Sequence, residues 1–105
     1  MKILDLVLTG KWYDMIDNGV KIEEYRDITP YWINRLCKKV TNSEIYLGNI
    51  KHVDIRHFDE VYFHRGYTKT TMSFKIKDIT IGKGKTEWGA PDNREVFIIK
   101  LDKRL

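Results

Sequence analysis

The segment that most constrains the fold is TMSFKIKDITIG, Thr71 to Gly82, in which apolar and polar residues alternate along most of the length. Alternation with a period of two is typical of a strand with one buried face. After Asp78 the apolar residues continue at the opposite parity, as Ile79 and Ile81. A bulge near Lys77 and Asp78 would restore the facing and bend the strand, as small barrels require. We therefore expect a long, bent strand in a small barrel.

Three further segments read as strands. ILDLVL, Ile3 to Leu8, is a short run rich in branched aliphatic residues, which predicts a buried strand at the centre of a sheet. FDEVYFHRGY alternates apolar residues with Tyr62 and His64 until Gly66 turns the chain. REVFIIKL closes the chain as a strand that is apolar on both faces. The C-terminal half is therefore expected to be mostly β-structure.

Two short helices are predicted before residue 40. Thr9 and Thr29 are N-cap residues, and Pro30 stands at the first position of the second helix. Gly19 supplies the left-handed residue that ends the first helix, and the second is expected to end near Lys38. Each helix has one apolar stripe, which consists of Trp12, Met15 and Ile16 in the first and Trp32, Leu36 and Cys37 in the second.

The order of these elements defines the fold class. A helix follows each of the first two strands, and an irregular connection over Thr41–Asp54, with room for a short strand at EIYL, leads to three closely spaced strands. This order has too many strands for a doubly wound parallel sheet. A chain of 105 residues fits one core. We therefore predict one α+β domain over residues 1–105, a small, partly open β-barrel of about five to six strands with two flanking short helices.

Charge and cysteine content restrict the partners and the compartment. The net charge of +4 favours a polyanion such as nucleic acid over an acidic protein. The single cysteine, Cys37, cannot form an internal disulfide, and the N-terminal apolar run is too short for a signal peptide or a membrane span. We expect a cytoplasmic protein that does not bind membranes. His52 and His57 lack nearby cysteines, so we expect no metal, and no cofactor is predicted.

The stretch GVKIEEYRD, Gly19 to Asp27, contains five charged side chains in nine residues. In a regular strand Glu24 and Arg26 share one face, whereas Lys21 lies on the opposite face with Tyr25. Lys21 can reach Glu24 only if it lies in the turn after Gly19 or if the strand carries a bulge. If they converge in a cleft, a lysine and a carboxylate can divide proton transfer between them. The alternative is a set of ion pairs on a solvated sheet face.

The same stretch carries a family resemblance. NGVKIEEYRDITPYW contains the pattern Gly-x-Lys-x-x-Glu-x-Arg directly after the first predicted helix, at Gly19, Lys21, Glu24 and Arg26. The pattern resembles the signature of ASCH domains, small β-barrels of the PUA-like superfamily. The segments ITPYWINRL, FDEVYFHRGY, WGAP and VFIIKL resemble short stand-alone ASCH proteins of bacteria and phages. The resemblance implies a PUA-like barrel with a cleft lined by the motif, which binds RNA or a modified nucleoside and in some members hydrolyses its ligand.

An enzymatic branch of that family deacetylates N4-acetylcytidine, and this chain is similar to it at Gly19, Lys21, Arg26 and Asp27. The branch has a threonine nucleophile where this chain has Glu24, and it uses a later glutamate for which Glu60 is a candidate. A carboxylate cannot make the attack of a hydroxyl in the same way. If the protein is a hydrolase of an acylated nucleoside or of RNA, Lys21 and Glu24 are its candidate catalytic residues.

Aromatic and basic side chains around the motif are candidates for ligand contacts, because unpaired bases stack on aromatic rings and cations neutralise phosphates. Most tryptophans and phenylalanines of so small a domain should be in the core. The aromatic candidates are Tyr25, Tyr31, Trp32, Tyr62, Tyr67 and Trp88. The predicted ligand-binding residues are Arg26, His64, Arg65, Tyr67 and Trp88. Three functions stay open: a module that binds RNA or a modified nucleoside, a small hydrolase, and a bacterial or phage protein-interaction module.

Overall fold

The computed structural model describes residues 1–38, 50 and 54–105. In these ranges the chain forms β1 (Ile3–Leu8), α1 (Gly10–Asp17), β2 (Glu23–Arg26), α2 (Pro30–Leu36), β3 (Glu60–Arg65), β4 (Thr71–Gly82) and β5 (Val96–Arg104). The strands form one sheet in the order β1-β3-β4-β5-β2, which curls into a half-barrel with β1 and β2 at its two edges. The predicted α+β fold, a small and partly open β-barrel with two flanking helices, is confirmed.

The long strand β4 bends as its sequence predicts. It pairs antiparallel with β3 on one side and with β5 on the other. Its register against β5 shifts twice, between Phe74 and Ile76 and between Ile76 and Asp78. The shifts bring Ile79 into the core, with 4% of its surface exposed, although its parity differs from that of the buried Met72 and Phe74. The bulge thus compensates for the change of pattern near Asp78.

Strand β1 lies at the edge of the sheet, so its predicted central position is wrong. It pairs with β3 alone, in parallel orientation. Leu4, Leu6 and Leu8 are buried, whereas Ile3 and Val7 are 54% and 44% exposed. The strand is half-buried, as edge strands commonly are, but two of its three outward residues, Ile3 and Val7, are also aliphatic. An apolar run therefore looked like a strand buried on both faces.

Both helices begin as predicted. The hydroxyl of Thr29 accepts a hydrogen bond from the Trp32 main-chain N–H at 3.3 Å, and Pro30 is the first residue of α2. Gly19 ends the turn after α1 with φ of 75°. The second helix ends at Leu36 rather than near Lys38, because Cys37 leaves the helix to form an antiparallel bridge with Ile55.

The main core lies between the inner face of the sheet and the two helices, and Phe63, Phe97 and Leu36 are fully buried within it. Cys37 belongs to this core and is 1% exposed. Burial, with a smaller contribution from the charge of Asp54, raises the pKa of the Cys37 thiol. The cysteine therefore acts as a small apolar side chain, as predicted.

A second, smaller cluster covers the other face of the sheet. It contains Tyr25, Ala90, Val96 and Ile98, and Trp88 packs against it. Val96 to Ile99 are all buried, which confirms that β5 is apolar on both faces at this end. The glycine-rich segment 83–91 packs on this cluster, and its main chain reaches the ring of Trp12 on the first helix and the hydroxyl of Tyr25 on β2.

Two sequence-based expectations fall on residues outside the described ranges. Most of the irregular connection predicted over Thr41–Asp54, with its EIYL segment, lies there, and so does His52. Among the described residues, no helix has the length and apolar character needed to cross a membrane.

Close packing makes Gly84 sensitive to substitution. A Cβ atom at this position would lie 2.5 Å from Cε1 of Tyr25 and 2.7 Å from Cβ of Ala90. We expect Gly84→Ala to lower the free energy of unfolding by about 1–3 kcal/mol in urea denaturation, because the side chains that it meets are buried. Gly82→Ala is the matched control, since its added methyl would meet only Cδ1 of Ile98 at an ordinary 3.5 Å. Equal effects of the two substitutions would contradict this account.

Candidate functional site

A cavity of about 340 Å³ lies where the half-barrel is open, between the edge strands β1 and β2. Its walls come from the end of β1, from both helices, from β2 and from the loop before β5. The lining residues are Val7, Leu8, Thr9, Trp12, Glu24, Tyr25, Arg26, Asp27, Trp32, Gly89, Pro91 and Val96. Two residues of the Gly-x-Lys-x-x-Glu-x-Arg motif, Glu24 and Arg26, thus line one concave site together with Trp12 and Trp32.

A buried carboxylate lies between two cations at this wall. Nζ of Lys21 is 2.9 Å from Oε1 of Glu24, and Nη2 of Arg26 is 2.8 Å from Oε2 of the same carboxylate. Lys21 and Glu24 are only 2% and 5% exposed. Both oxygens of Glu24 are therefore engaged, and the three side chains form one compact ionic cluster rather than ion pairs on a solvated face.

Lys21 reaches this cluster because it precedes the strand. Strand β2 begins only at Glu23, and the main-chain N–H of Lys21 donates to the carbonyl of Met15 at 3.0 Å, in the turn that ends α1. The strand predicted from Val20 begins only at Glu23. Val20 and Ile22, which were expected to share a face with the buried Glu24, are 57% and 56% exposed. The turn after Gly19 directs the side chain of Lys21 toward Glu24, which a regular strand would not do.

The ammonium group of Lys21 also holds the glycine-rich loop. It donates a hydrogen bond of 2.5 Å to the main-chain carbonyl of Trp88. It lies 4.7 Å from the ring centroid of Trp12 and 5.2 Å from that of Tyr25. A lysine has three donors, and these contacts engage them on several sides. Lys21 supports the cavity from behind Glu24 and is not among the residues that line it.

Arg26 bridges the opening of the barrel. Besides Glu24, its Nη2 contacts the main-chain carbonyl of Val7 on β1 at 3.0 Å. Its guanidinium lies 4.8 Å from the ring centroid of Trp32. Among buried side-chain nitrogen and oxygen atoms of the described residues, Nε of Arg26 alone has no hydrogen-bond partner. One side chain therefore connects the two sheet edges, and its Nε–H is a buried donor without a partner.

Tyr25 anchors the loop on the other face of the sheet. Its hydroxyl donates to Oε1 of Glu23 at 2.8 Å and accepts from the main-chain N–H of Lys85 at 3.0 Å. Burial raises the pKa of Tyr25 well above its usual value. Trp88, predicted as a ligand-binding residue, is half-buried against this cluster, and its carbonyl rather than its ring contacts the motif.

The remaining predicted ligand-binding residues lie elsewhere. His64 pairs with Asp5 on the outer side of β1 and β3. Arg65 forms two hydrogen bonds of 3.0 Å with Asp14 of α1, which lower the pKa of that carboxyl. Tyr67 is fully exposed in the turn after β3. None of the three predicted residues is among those that line the cavity.

Trp12, Thr9 and Asp27 line the cavity, although sequence reasoning gave them no contact with a ligand. Trp12 was assigned to the apolar stripe of the first helix, yet it is only half-buried and lies beside two lysines, Lys11 at 4.5 Å and Lys21. The doublet Lys11-Trp12 at a helix start was the available signal. Asp27 was noted only as part of the family pattern, and its carboxylate accepts a hydrogen bond from Arg94 at 3.0 Å.

Comparison with known proteins found no match to a protein-family model, a curated protein or a solved structure. The resemblance to ASCH domains therefore stays a prediction. In the described part of the chain, no group of three or more His, Cys, Asp or Glu side chains is arranged to hold a metal ion. What the site can do follows from its aromatic walls, its ionic cluster and its main-chain groups.

The ionic cluster should dominate the stability of this region. We expect Glu24→Gln to lower the free energy of unfolding by about 3 kcal/mol, because it leaves the buried ammonium of Lys21 without a counter-charge. Urea denaturation measures the change. Glu95→Gln is the matched control, since Glu95 is exposed. The double variant Lys21→Met/Glu24→Gln should be more stable than Glu24→Gln alone, and additive losses would contradict the coupling.

Proposed function

We propose that the cleft binds one nucleobase, presented by single-stranded RNA or by a modified nucleoside. The observation that carries this proposal is the pair of tryptophans, Trp12 and Trp32, in the walls of one cavity. Flat aromatic walls suit a flat heterocycle, and each stacked base contributes about 1–3 kcal/mol in proteins that bind single strands. A volume of about 340 Å³ accommodates a base rather than a longer segment.

The electrostatics of the cleft support a nucleotide. Lys21 and Arg26 outnumber Glu24 by one charge within the ionic cluster. The exposed Lys11 lies beside the cavity residue Trp12, and the exposed Lys85 lies 4.3 Å from the ring centroid of Trp88. These two lysines are free to meet phosphates while a base occupies the cavity, in accord with the chain's net charge of +4.

Within this proposal the motif residues have distinct tasks. Glu24 fixes the positions of Lys21 and Arg26, and Lys21 fixes the loop through the carbonyl of Trp88. Arg26 lines the cavity and places the positive charge of its guanidinium beside the ligand. Arg26 thus contacts the ligand directly, whereas Lys21 acts as a positioning residue.

A second candidate function is hydrolysis of an acylated nucleoside or of RNA, favoured by the direct contact between Lys21 and Glu24 beside the cavity. In such a reaction Lys21 would activate the nucleophile and Glu24 would transfer the proton. The chemistry requires the ammonium to give up its contacts with Glu24 or Trp88, since both are in place in the free protein. Binding without turnover requires no such rearrangement.

Tryptophan fluorescence tests the binding proposal. Stacking of a base on Trp12 or Trp32 should quench the emission of the protein when a short single-stranded RNA is added. We expect Trp12→Phe and Trp32→Phe each to weaken binding about tenfold, because phenylalanine offers a smaller stacking surface. Trp88→Phe is the matched control, since Trp88 is not among the residues that line the cavity.

Salt dependence provides a second measurement of the same complex. The affinity for RNA should fall between about 50 and 200 mM salt if lysines contact phosphates. Lys11→Gln and Lys85→Gln should reduce that dependence, while the quenching by a bound base persists. Binding that is lost in the Trp88→Phe protein alone, or no quenching by any RNA or nucleoside, would refute the proposed site.

The hydrolase candidate has its own test. Purified protein is incubated with N4-acetylcytidine and, separately, with labelled RNA, and products are separated by chromatography. Turnover that disappears in Lys21→Met but persists in the exposed control Lys103→Met would establish catalysis at this site. Absence of turnover by a protein that still quenches with the nucleoside would leave binding as the function and remove the hydrolase.

A further inference from the structure

The pairing of β2 determines which of its main-chain groups face the cavity. The N–H of Leu101 donates to the carbonyl of Ile22 at 3.1 Å, and the register continues with Glu24 opposite Ile99 and Arg26 opposite Phe97. In an antiparallel pair, hydrogen-bonded positions recur at every second residue. The ladder therefore uses the main chains of Ile22, Glu24 and Arg26, whereas the N–H and C=O of Tyr25 point away from β5.

The opposite edge follows the same rule. The carbonyls of Lys2 and Leu8 accept hydrogen bonds from Asp59 and Gly66, at 2.9 Å and 2.7 Å, so the even-numbered residues of this segment pair with β3. The main-chain N–H and C=O groups of the odd-numbered residues therefore point toward the opening between β1 and β2. Accordingly, the carbonyl of Val7 accepts a hydrogen bond from Arg26 at 3.0 Å, and that of Asp5 accepts one from Arg35 at 3.2 Å. Two guanidinium groups thus occupy acceptors along the β1 edge.

The cavity runs along these edges. It is lined by four consecutive residues at and just after the end of β2, Glu24 to Asp27. It is also lined by three consecutive residues at and just after the end of β1, Val7 to Thr9. Side chains alternate between the faces of a strand, so a cavity on one face would touch only every second residue. The side chain of Tyr25 lies in the second, smaller cluster on the other face of the sheet, where its hydroxyl is hydrogen-bonded to Glu23 and to the main chain of Lys85. Tyr25 is among the lining residues, and its main-chain N–H and C=O point toward this open edge.

We propose that the main-chain N–H and C=O of Tyr25 bind the Watson–Crick edge of the base, an inference that rests on the proposed function. Each natural base presents a donor and an acceptor side by side on that edge, and one strand-edge residue offers the complementary pair. The ring lies between the tryptophan walls. Methylation of the ring nitrogen on this edge removes a donor from uracil or guanine and adds bulk. In adenine or cytosine it removes an acceptor, adds bulk and leaves the base positively charged, so the cleft should reject all four methylated bases, and the uracil and guanine pairs isolate the effect of the methyl group from that of charge.

A base suits this edge better than an added peptide strand. A peptide would need several consecutive free residues along β2. The strand ends at Arg26, and the carbonyl of Asp27 already accepts a hydrogen bond from the N–H of Thr29 at 2.9 Å. By the same rule the main-chain groups of Glu23 also point away from β5, but Glu23 is not among the residues that line the cavity. Tyr25 is therefore the residue of β2 whose outward-pointing donor and acceptor lie close to the aromatic walls, and one such pair fits a single planar edge.

Amide hydrogen exchange followed by NMR tests the geometry in the free protein. The amide of Tyr25 should exchange quickly, because it lies outside the ladder, and those of Glu24 and Arg26 should be protected. Glu24 and Arg26 are the matched internal controls, since they lie in the same strand but their main-chain N–H groups point toward β5. A Tyr25 amide as protected as its neighbours would overturn the inference whatever the ligand.

The ligand experiment uses the four ribonucleoside monophosphates, each paired with its ring-methylated counterpart: 3-methyluridine, 3-methylcytidine, 1-methyladenosine and 1-methylguanosine monophosphate. The tightest-binding base should slow exchange of the Tyr25 amide, and its methylated form should bind about tenfold or more weakly, because a polar group is left unpaired. Tryptophan quenching measures affinity independently of exchange.

The outcomes separate the two proposals. Quenching by a natural base with no protection of Tyr25, or with equal affinity for its methylated form, would overturn the edge-binding inference and leave the nucleobase site in place. Absence of quenching by every nucleotide and by RNA would overturn both. Protection of Tyr25 by the tightest-binding base, with weaker binding of its methylated form, would support both.

Discussion

The buried contact of Glu24 with Lys21 and Arg26 is the interaction on which the rest of the site depends. A carboxylate that is 5% exposed is costly to bury, and here two cations from either side offset that cost. Each cation then makes one further main-chain contact, Lys21 with Trp88 and Arg26 with Val7. The helix turn, strand β2, the glycine-rich loop and strand β1 thus meet at one carboxylate.

This arrangement explains why the cavity has polar and aromatic walls together. Lys21 lies close to the rings of Trp12 and Tyr25, and Arg26 lies over Trp32. Cations beside ring faces help to fix the positions of those rings, and Trp32 also packs partly against the main core. Both tryptophans line the cavity at the opening of the half-barrel.

Local pattern predicted the fold well, because each element carries its own signal. The alternation in β4, its change of parity near Asp78 and the Thr29-Pro30 start of α2 are all properties of neighbouring residues. The edge position of β1 could not be predicted from the sequence, because Ile3 and Val7 are aliphatic although they face outward. Likewise, alternation placed Lys21 opposite Glu24, and only the turn after Gly19 reverses that relation. The position of Trp12 in the cavity wall was not predicted either, because the sequence pattern of a half-buried tryptophan is the same in the apolar stripe of a helix and in the wall of a cavity.

The bridge made by Arg26 between the two sheet edges has a consequence for how such a barrel can change. A closed barrel has a circumference fixed by its strand number and stagger, but here the last seam is closed by a side chain rather than by a ladder. The side chain of Arg26 therefore joins the two edges at this point, and Arg35 of α2 reaches the carbonyl of Asp5 on the same edge. A shorter side chain at position 26 would remove the connection between β1 and β2 without removing any hydrogen bond of the sheet ladders.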